Sequence, residues 1–480
     1  MANIETQNGH QTPVNPLSRT NFSFMSDKAQ VIANLQTYRD YLALKGKGGP
    51  RSIQIREVID ERNGIELNTQ NPLHLVIIAL MDLPIVQRTR DIGQLGTANF
   101  VYKDAVHVRF GHLIGSGYLA SDCLQTMRNN ASHTLAREIE KYAPAVVATT
   151  VLHDIGHFAP RSHLGESVWF PKDRKAHEKT TLRILDQDEG LKYVLQNIVP
   201  RHEDLYETVR LILRESDKIP AWTWKLVSGG GWNLDRGDWV YRDSLECGVE
   251  YGRYGVKPLL KRLSINEDGE LTVDEGGARL IQHFFQSRYE MYEHVYFHSV
   301  SRLVIEMYKA LVNRARELDR LGKDFFQDPV MKEVLHAERS EDVPLDCLLK
   351  MTDSWFKYHL ERWAESSDYI LADLASRLIL RQLFKHFPDD EYHRRLLTKW
   401  VVDAGLPLEY YLLEVPPYAG SAKKDLAEKA LRVVGSDGSL QTLAEHDVIL
   451  DSYTRANMAS AQPLLAIPHN VVTPVNLVEH

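Results

Sequence analysis

The chain has 480 residues, of which 43% are hydrophobic and 25% are charged, a composition typical of a folded globular protein with a sizeable core. Its formal net charge of -8 gives no general electrostatic reason to bind a polyanion, so nucleic acid is not an expected partner. The longest apolar runs are far shorter than the roughly 20 residues that a membrane-spanning helix needs, and we predict no membrane segment.

The N-terminus shows no basic segment followed by an apolar one, so we predict no secretory signal and a cytoplasmic location. Three cysteines, Cys123, Cys247 and Cys347, lack the paired spacing of a disulfide framework or a thiolate zinc site. A bound metal would therefore be held by histidines and carboxylates.

The sequence divides into three predicted regions. Residues 1–70 form a polar N-terminal extension with a basic loop at residues 45–51, residues 71–390 form a helical core, and residues 391–480 form a small mixed α/β extension with a Pro-rich tail. Within the core, the alternation around Asp268 and Gly269 predicts a β-hairpin excursion. The expected fold class is mainly α.

Helical periodicity dominates the predicted core. Apolar residues recur at i, i+3, i+4 and i+7 in HLIGSGYLASDCLQTM, APAVVATTVLHD, HEKTTLRILDQ, YEMYEHVYFHSVSRLVIEMYKALVNRA and LASRLILRQLFKHF. Each of these segments is predicted to be a helix.

A polar cluster follows the apolar run at residues 145–152. The stretch VLHDIGHFAPRSHLGE contains His153, Asp154, His157, His163 and Glu166. A His-Asp dipeptide alone is a weak motif, because composition predicts about one in a chain with this many histidines. A surface pair or a satisfied core histidine is the competing interpretation.

Two further segments supply residues that could complete a metal site. His112 lies at the start of a predicted helix, and Asp235 lies in LDRGDWVYRDS. Together with His153 and Asp154 they would form a mixed nitrogen and oxygen site, which suits Mn, Fe, Mg or Zn. Such a site lowers the pKa of a bound water and polarises a phosphoryl oxygen, so phosphoester hydrolysis is the natural reaction.

The segment around Asp235 carries a polar helical stripe. Its members recur at helical spacing and are Asp235, Asp238, Trp239, Arg242, Asp243 and Glu246. A stripe of this kind is usually a solvated face, but it can equally line a polar pocket.

The remaining residues of the cluster suggest acid and base chemistry. His157 is predicted one helical turn after His153, and the spacing of His163 and Glu166 allows the carboxylate to orient the imidazole. Taken singly, each residue is more often structural, so the prediction depends on the whole set.

Six longer segments match the motifs of a known enzyme family in order. They are VQRTRDIGQLG, VYKDAVHVRFGHLIGSGYLA, LHDIGHFAPRSHLGE, AHEKTTLRIL, LDRGDWVYRDS and SRYEMYEHVYFHSVSRLVIEM, followed by MTDSW and LILRQLFKHF. The chain resembles the HD-superfamily deoxynucleoside triphosphate triphosphohydrolases, which include bacterial dGTPase-like enzymes and the mammalian SAM-and-HD-domain dNTPase. The resemblance implies an HD-domain helical core.

The resemblance also implies a role for each matching residue. It implies metal ligation by His112, His153, Asp154 and Asp235, and a catalytic pair formed by His163 and Glu166 beside the scissile phosphate. The implied substrate contacts are Arg109, His157, His177, Arg236, Arg288 and His298 for the phosphates, Gln94 and Asp243 for the 3′-hydroxyl, Tyr296 for the ribose C2′, and Trp239 near the sugar.

Four features depart from the family pattern. Trp239 stands where the family usually has Tyr, Gly111 replaces the usual Glu of RFEH, APRSH is one residue longer than PPFGH, and GGGWN before Asp235 replaces a tighter approach. These departures affect the expected nucleotide preference and the placement of His163 and Glu166 more than the reaction class.

The resulting hypothesis is a metal-dependent dNTP triphosphohydrolase that converts a dNTP to a deoxynucleoside and inorganic triphosphate, in dNTP pool control or antiviral dNTP depletion. The expected cofactor is a divalent Mn, Fe or Mg ion, with Zn or Co as alternatives. The resemblance further implies a homo-oligomer, tetramer or hexamer, with a nucleotide as allosteric effector. Two alternatives stay open: an HD phosphohydrolase acting on nucleoside monophosphates or phosphodiesters, and a non-catalytic nucleotide-binding regulatory protein.

Overall fold

The computed structural model describes residues 23–33, 52–55, 64–173, 175–199, 204–229, 231–417, 431–446 and 462–472. The predicted basic loop at residues 45–51 lies outside the described residues, as do most of the predicted N-terminal extension and the last eight residues of the tail. The described part is mainly helical, which confirms the predicted fold class.

The first half of the fold is built from helices that surround two long central ones. The short segment Arg88–Asp91 is a 3-10 helix that directly follows the helix Pro84–Gln87. The helices are α1 (Pro72–Met81), α2 (Pro84–Gln87), α3 (Arg109–Asn130), α4 (His133–Leu152), α5 (His163–Trp169), α6 (Ala176–Gln187), α7 (Glu189–Asn197), α8 (Leu205–Leu213), α9 (Ala221–Ser228) and α10 (Leu234–Glu246).

The second half continues with helices of varied length. They are α11 (Val256–Leu260), α12 (Glu275–Met291), α13 (Ser299–Arg320), α14 (Pro329–His336), α15 (Leu345–Lys350), α16 (Asp353–Ala364), α17 (Tyr369–Ile379), α18 (Glu391–Asp403), α19 (Leu408–Tyr411) and α20 (Leu443–His446).

Nine short strands form three small sheets among the described residues. The predicted hairpin is confirmed, because β3 and β4 pair antiparallel with Ile265 opposite Leu271. The remaining strands of the C-terminal region extend sheets that begin in the predicted core: β7 pairs parallel with β4, and β9 lies between β5 and β6. The strands are β1 (Ser52–Ile55), β2 (Ile65–Asn68), β3 (Leu263–Ile265), β4 (Leu271–Asp274), β5 (Lys385–Pro388), β6 (Leu413–Val415), β7 (Arg432–Val434), β8 (Leu440–Thr442) and β9 (Leu464–Ile467).

Two predicted helices differ from the structure. The long helix predicted from YEMYEHVYF onward is interrupted by a π-helical turn at Tyr292–Tyr296, and His298 caps the helix that follows. The helix predicted through LASRLILRQLFKHF ends at Ile379, and Lys385–Pro388 is a strand. A left-handed Arg381 (φ 54°) follows the helix end, and the distant strand β9 supplies the pairing partner, which sequence periodicity does not reveal.

Most buried apolar side chains among the described residues belong to two large hydrophobic cores. One core gathers the inner faces of α1, α3, α4 and α6 to α10 with the β3–β4 hairpin. The other packs α5 against α13 to α17 and the sheet formed by β5, β6 and β9. Residues adjoining both cores line one cavity, which therefore lies at their junction.

No single helix among the described residues is long and apolar enough to cross a membrane, and only the bent pair Pro72–Met81 and Pro84–Asp91 reaches that length and composition, across a 73° bend.

Candidate functional site

Three helix ends converge on one buried polar cluster. His112 lies in the first turn of α3, Asp235 lies in the first turn of α10, and His153 and Asp154 follow α4 directly. Helix α4 ends at Leu152, so the prediction that His157 lies one helical turn beyond His153 is wrong. His157 lies in the loop after the helix, where the backbone turns toward α5.

The four side chains present their ligand atoms to a common point. Nε2 of His112 lies 3.4 Å from Nε2 of His153 and 3.2 Å from Oδ1 of Asp235. Nε2 of His153 lies 3.3 Å from that Asp235 oxygen and 3.4 Å from Oδ2 of Asp154. These distances are short enough for all four atoms to share one ion.

The outer contacts of both imidazoles fit a cation at this point. Nδ1–H of His112 donates to Oδ2 of Asp238 at 2.7 Å, and Nδ1–H of His153 donates to the carbonyl of Thr150 at 2.8 Å. With Nδ1 protonated, the Nε2 lone pairs face each other across the cluster, and a divalent ion is the group that such facing lone pairs attract. The mixed nitrogen and oxygen set suits Mn, Fe, Mg or Zn and does not select one of them.

The polar stripe on α10 is not a solvated face, because three of its residues are buried (Asp238, Arg242 and Asp243) and the other three are half-buried. Asp238 and Arg242 form a two-point ion pair, with Nε donating to Oδ2 at 2.8 Å and Nη2 donating to Oδ1 at 2.8 Å. Glycines on α3 make room for this pair, since a Cβ at Gly111 would lie 3.1 Å from Nη1 of Arg242, and one at Gly115 would lie 2.6 Å from Oδ1 of Asp238. The unusual Gly111 therefore faces a side chain that supports a candidate metal ligand.

A second cluster of histidines and one carboxylate adjoins the first. Glu166 accepts a hydrogen bond from Nδ1 of His177, and its Oε1 lies 3.4 Å from Nδ1 of His163 and 3.7 Å from Nδ1 of His157. The rings of His157 and His177 stack at 4.0 Å with an angle of 9° between their planes. Parallel rings cannot both direct in-plane lone pairs at one ion, so this cluster is better suited to proton transfer and anion contacts than to a metal.

Burial and charge set the protonation of these groups. Burial favours the neutral acid at Glu166, but hydrogen bonds from His163 and His177 hold the pKa of Glu166 well below its usual range. Burial lowers the pKa of His157 well below its ordinary value, and the charges of Arg109 and His177 add to that effect. The pKa of His177 is raised despite burial, because Glu166 stabilises the imidazolium.

The cavity beside these clusters has a volume of about 610 Å³, and its wall holds four arginines together with four carboxylates and several apolar side chains. Arg109 reaches the cluster itself, where it contacts Asp154 and Ser162. Of the predicted site residues, the following line the cavity: Gln94, Arg109, Asp154, His163, His177, Asp235, Arg236, Trp239, Asp243, Arg288 and Tyr296.

Other predicted residues lie behind the wall or outside it. Four predicted residues do not line the cavity but contact residues that do, as described above. They are His112, His153, His157 and Glu166. His298 does not belong to the described cavity wall, and its Nδ1 accepts the backbone N–H of Val300 at the start of α13.

The wall also contains residues to which the sequence interpretation gave no role. Arg302 lines the cavity, and so do the aromatic rings of Tyr292 and Phe297. Arg302 follows His298 by one helical turn and closes the motif VYFHSVSR, which is the signal that could have identified it.

An aromatic and carboxylate surface lies at the far side of the cavity. The hydroxyl of Tyr296 donates to Oδ2 of Asp243 at 2.8 Å. The indole of Trp239 packs edge-on against Tyr296 and Tyr292, with ring centroids 5.7 and 6.1 Å away. This surface combines apolar faces with a hydrogen-bond acceptor, a combination typical of small-molecule binding sites.

Comparisons with other proteins give remote likenesses. No protein-family model matches the chain. The uncharacterized protein YwfO of Bacillus subtilis is 27% identical over 376 residues, which cover 76% of this chain and 82% of YwfO. Deoxynucleoside triphosphate triphosphohydrolase SAMHD1 of Homo sapiens is 24% identical over 263 residues, which cover 49% of this chain and 41% of that protein. The match to the human protein therefore spans less than half of its length.

A solved structure shares the fold. A phosphohydrolase from Bacteroides thetaiotaomicron superposes with a TM-score of 0.70 at 24% identity, over 87% of this chain and 100% of that one. At this identity the likeness shows the fold alone. Together with the sequence matches, it supports an HD-type phosphohydrolase, without a particular substrate.

Proposed function

We propose that the protein is a metal-dependent dNTP triphosphohydrolase, which converts a dNTP and water to a deoxynucleoside and inorganic triphosphate. The observation that carries the proposal is the position of the four-ligand cluster at one side of a cavity whose wall also holds arginines and the surface formed by Asp243, Tyr296 and Trp239. The relative SAMHD1, whose name states this activity, supports the same reaction.

The four-ligand cluster would hold the metal ion. A divalent ion bound by His112, His153, Asp154 and Asp235 supplies a Lewis acid for a phosphoryl oxygen and lowers the pKa of a bound water. Arg109, which is buried against Asp154, would neutralise charge on the phosphoryl group nearest the cluster.

The histidines beside Glu166 would act in proton transfer and in binding the anionic leaving group. Water attacks the α-phosphorus, the bond from that phosphorus to O5′ breaks, and O5′ takes up a proton as the deoxynucleoside leaves. His163 is 69% exposed and lines the cavity, so its ring can reach a leaving oxygen, while Glu166 orients it. The pKa of His177 is raised by Glu166, so its positive charge favours a triphosphate nearby.

Three further arginines of the cavity wall would hold the leaving triphosphate. Arg236, Arg288 and Arg302 line the cavity, and a triphosphate requires several such cations. On the aromatic side, Asp243 and Gln94 would meet the 3′-hydroxyl, and the ring of Tyr296 would exclude a 2′-hydroxyl.

Product analysis tests the proposal. Purified protein is incubated with each dNTP and rNTP, alone and in mixtures, with Mg²⁺, Mn²⁺, Fe²⁺ or Co²⁺, and the products are resolved by chromatography. Inorganic triphosphate and deoxynucleoside are the expected products, and Asp154→Ala should lose both metal and turnover. Release of single phosphates would favour another HD phosphohydrolase, and tight dNTP binding without turnover under every metal would favour a regulatory binding protein.

A further inference from the structure

Asp243 is the acidic side chain on the aromatic side of the cavity, and the protein holds it from two directions. Tyr296 donates to Oδ2 at 2.8 Å, and Nε2–H of His107 donates to Oδ1 at 2.8 Å. The side chains of His107 and Asp243 are 8% and 2% exposed. Both carboxylate oxygens are therefore anchored before any ligand is present.

His107 also positions a second residue of the same wall. Its backbone carbonyl accepts the N–H of Gln94 at 3.0 Å, and Gly93 and Val108 form a β-bridge beside this contact. Gln94 lines the cavity, and its Oε1 is buried without a hydrogen-bond partner among the described residues. One histidine thus connects the two groups, Gln94 and Asp243, that offer hydrogen bonds at this end of the cavity.

His107 itself does not belong to the described cavity wall, so it acts from behind. An ionised carboxylate has about four lone-pair sites, and two protein donors leave the others for a hydroxyl donor. A carboxylate fixed in this way loses little freedom when a ligand binds, which strengthens discrimination between ligands with and without that hydroxyl.

We propose that His107 is a positioning residue that sets the recognition of a substrate hydroxyl group: its imidazole orients Asp243, while its backbone carbonyl holds the backbone of Gln94 nearby. The inference rests on the proposed function, in which the 3′-hydroxyl of a deoxyribose meets these two residues. We assign His107 no role in proton transfer at phosphorus, because its hydrogen-bond partner Asp243 contacts the sugar in the proposed function.

Two amide replacements separate this role from simple structural support. Nε2 of a glutamine can occupy the place of Nε2 of histidine, so His107→Gln keeps a donor for Asp243. The amide of His107→Asn is one methylene shorter and withdraws it, and His107→Leu is a second variant without a donor. His133→Leu changes an exposed histidine on α4 and serves as the matched control.

The measurement is the ratio of kcat/KM for a dNTP to kcat/KM for the matching 2′,3′-dideoxynucleoside triphosphate. We expect the ratio to fall by about tenfold in His107→Asn and His107→Leu, through a lower kcat/KM for the dNTP alone, because a site built to hydrogen-bond a substrate hydroxyl discriminates against the analogue that lacks it. His107→Gln and His133→Leu should keep the wild-type ratio within about twofold. Circular dichroism melting identifies any variant that fails to fold, and either donor-free variant suffices.

The two possible failures have different signatures. If the wild type hydrolyses dNTPs but a folded donor-free variant loses both rates equally, or keeps the wild-type ratio, His107 is structural and the inference is wrong while the proposed function stands. If the wild type produces no inorganic triphosphate from any dNTP, the proposed function is wrong, and the inference falls with it.

Discussion

Asp238 holds His112 in the orientation that a metal ligand requires. Nδ1–H of His112 donates to Oδ2 of Asp238 at 2.7 Å, and both side chains are fully buried. Burial favours the neutral acid, but Arg242 and His112 outweigh it and lower the pKa of Asp238, so the carboxylate is charged. The chain from Arg242 through Asp238 to His112 therefore fixes the tautomer that turns Nε2 toward Asp235 and His153.

Replacing Asp238 with asparagine should weaken metal binding. The amide keeps the shape but removes the charge, and its NH₂ group would face either His112 or Arg242, which are both donors. We expect Mn²⁺ affinity to fall about 10- to 100-fold, as for other outer partners of metal-bound histidines. Calorimetric titration of metal-free protein measures it. Asp268→Asn, in the exposed turn of the hairpin, is the control, and equal affinities for the two variants would contradict the role of Asp238.

Gly115→Ala should destabilise the fold at the same place. The added Cβ would lie 2.6 Å from Oδ1 of Asp238 and closer still to Nη2 of Arg242, so the ion pair or α3 must shift. Overpacking of this kind costs typically 1–3 kcal/mol, so we expect a free energy of unfolding lower by about 2 kcal/mol in urea titrations. Gly276→Ala, in the exposed first turn of α12, is the matched control, because its added Cβ would come no closer than 3.3 Å to the side chains of Arg262 and Asp274, and we expect a smaller loss of stability. A Gly115→Ala protein as stable as the control would show that the helices can separate freely.

Tyr296 should govern sugar selectivity through its ring. We expect Tyr296→Ala to raise kcat/KM for rNTPs relative to dNTPs by about tenfold or more, because the ring no longer occupies the space of a 2′-hydroxyl. Tyr296→Phe keeps the ring and loses only the hydrogen bond to Asp243, so it should still exclude rNTPs. Parallel assays with dGTP and GTP measure both ratios. Comparable wild-type turnover of the two nucleotides would refute this selectivity.

Asp328 should give the fold a pH-dependent contribution to stability. It caps α14 by accepting the N–H of Met331 at 2.7 Å, and it accepts the indole N–H of Trp355 at 2.9 Å. Burial opposes the charge, but the imidazole of His359, 3.4 Å away, and the hydrogen bonds from Met331 and Trp355 outweigh it and lower the pKa of Asp328 from 3.8 to about 2. Since the folded-state pKa is depressed, the stabilisation is present above pH 3.8 and is lost as the pH falls toward 2.

The variant Asp328→Ala tests the direction of this pH dependence. At pH 7 it should lower the free energy of unfolding by about 1 kcal/mol or more, the usual range for a lost N-cap. The difference between wild type and variant, measured by urea unfolding at several pH values, should shrink below pH 4. A difference that stays constant down to pH 2, or that grows, would show that the Asp328 charge does not contribute. Asp268→Ala, in the exposed turn of the hairpin, is the control substitution.

The helical architecture was predictable because its causes are local. Apolar residues at helical spacing predicted α3, α4 and α6, and the alternation on either side of Gly269 predicted the β3–β4 hairpin. The same local signals failed where a distant partner decides the structure. The segment LASRLILRQLFKHF carries an apolar pattern compatible with a helix, but its end at residues 385–387 pairs with the strand Leu464–Ile467.

For the candidate site, the sequence by itself determined which residue types were present and in which order their motifs occur. It indicated that His112, His153, Asp154 and Asp235 belong to one set, and the structure brings their ligand atoms within 4.8 Å of one another. Only the tertiary structure decided that Glu166 pairs with His177 as well as His163, that Asp238 and Arg242 are buried behind His112, and that His107 reaches Asp243. The physical reason is that Glu166 and His177 lie on different helices, and the other two hydrogen bonds join residues more than a hundred positions apart. All three therefore depend on how the helices pack, and packing depends on side chains from the whole chain at once.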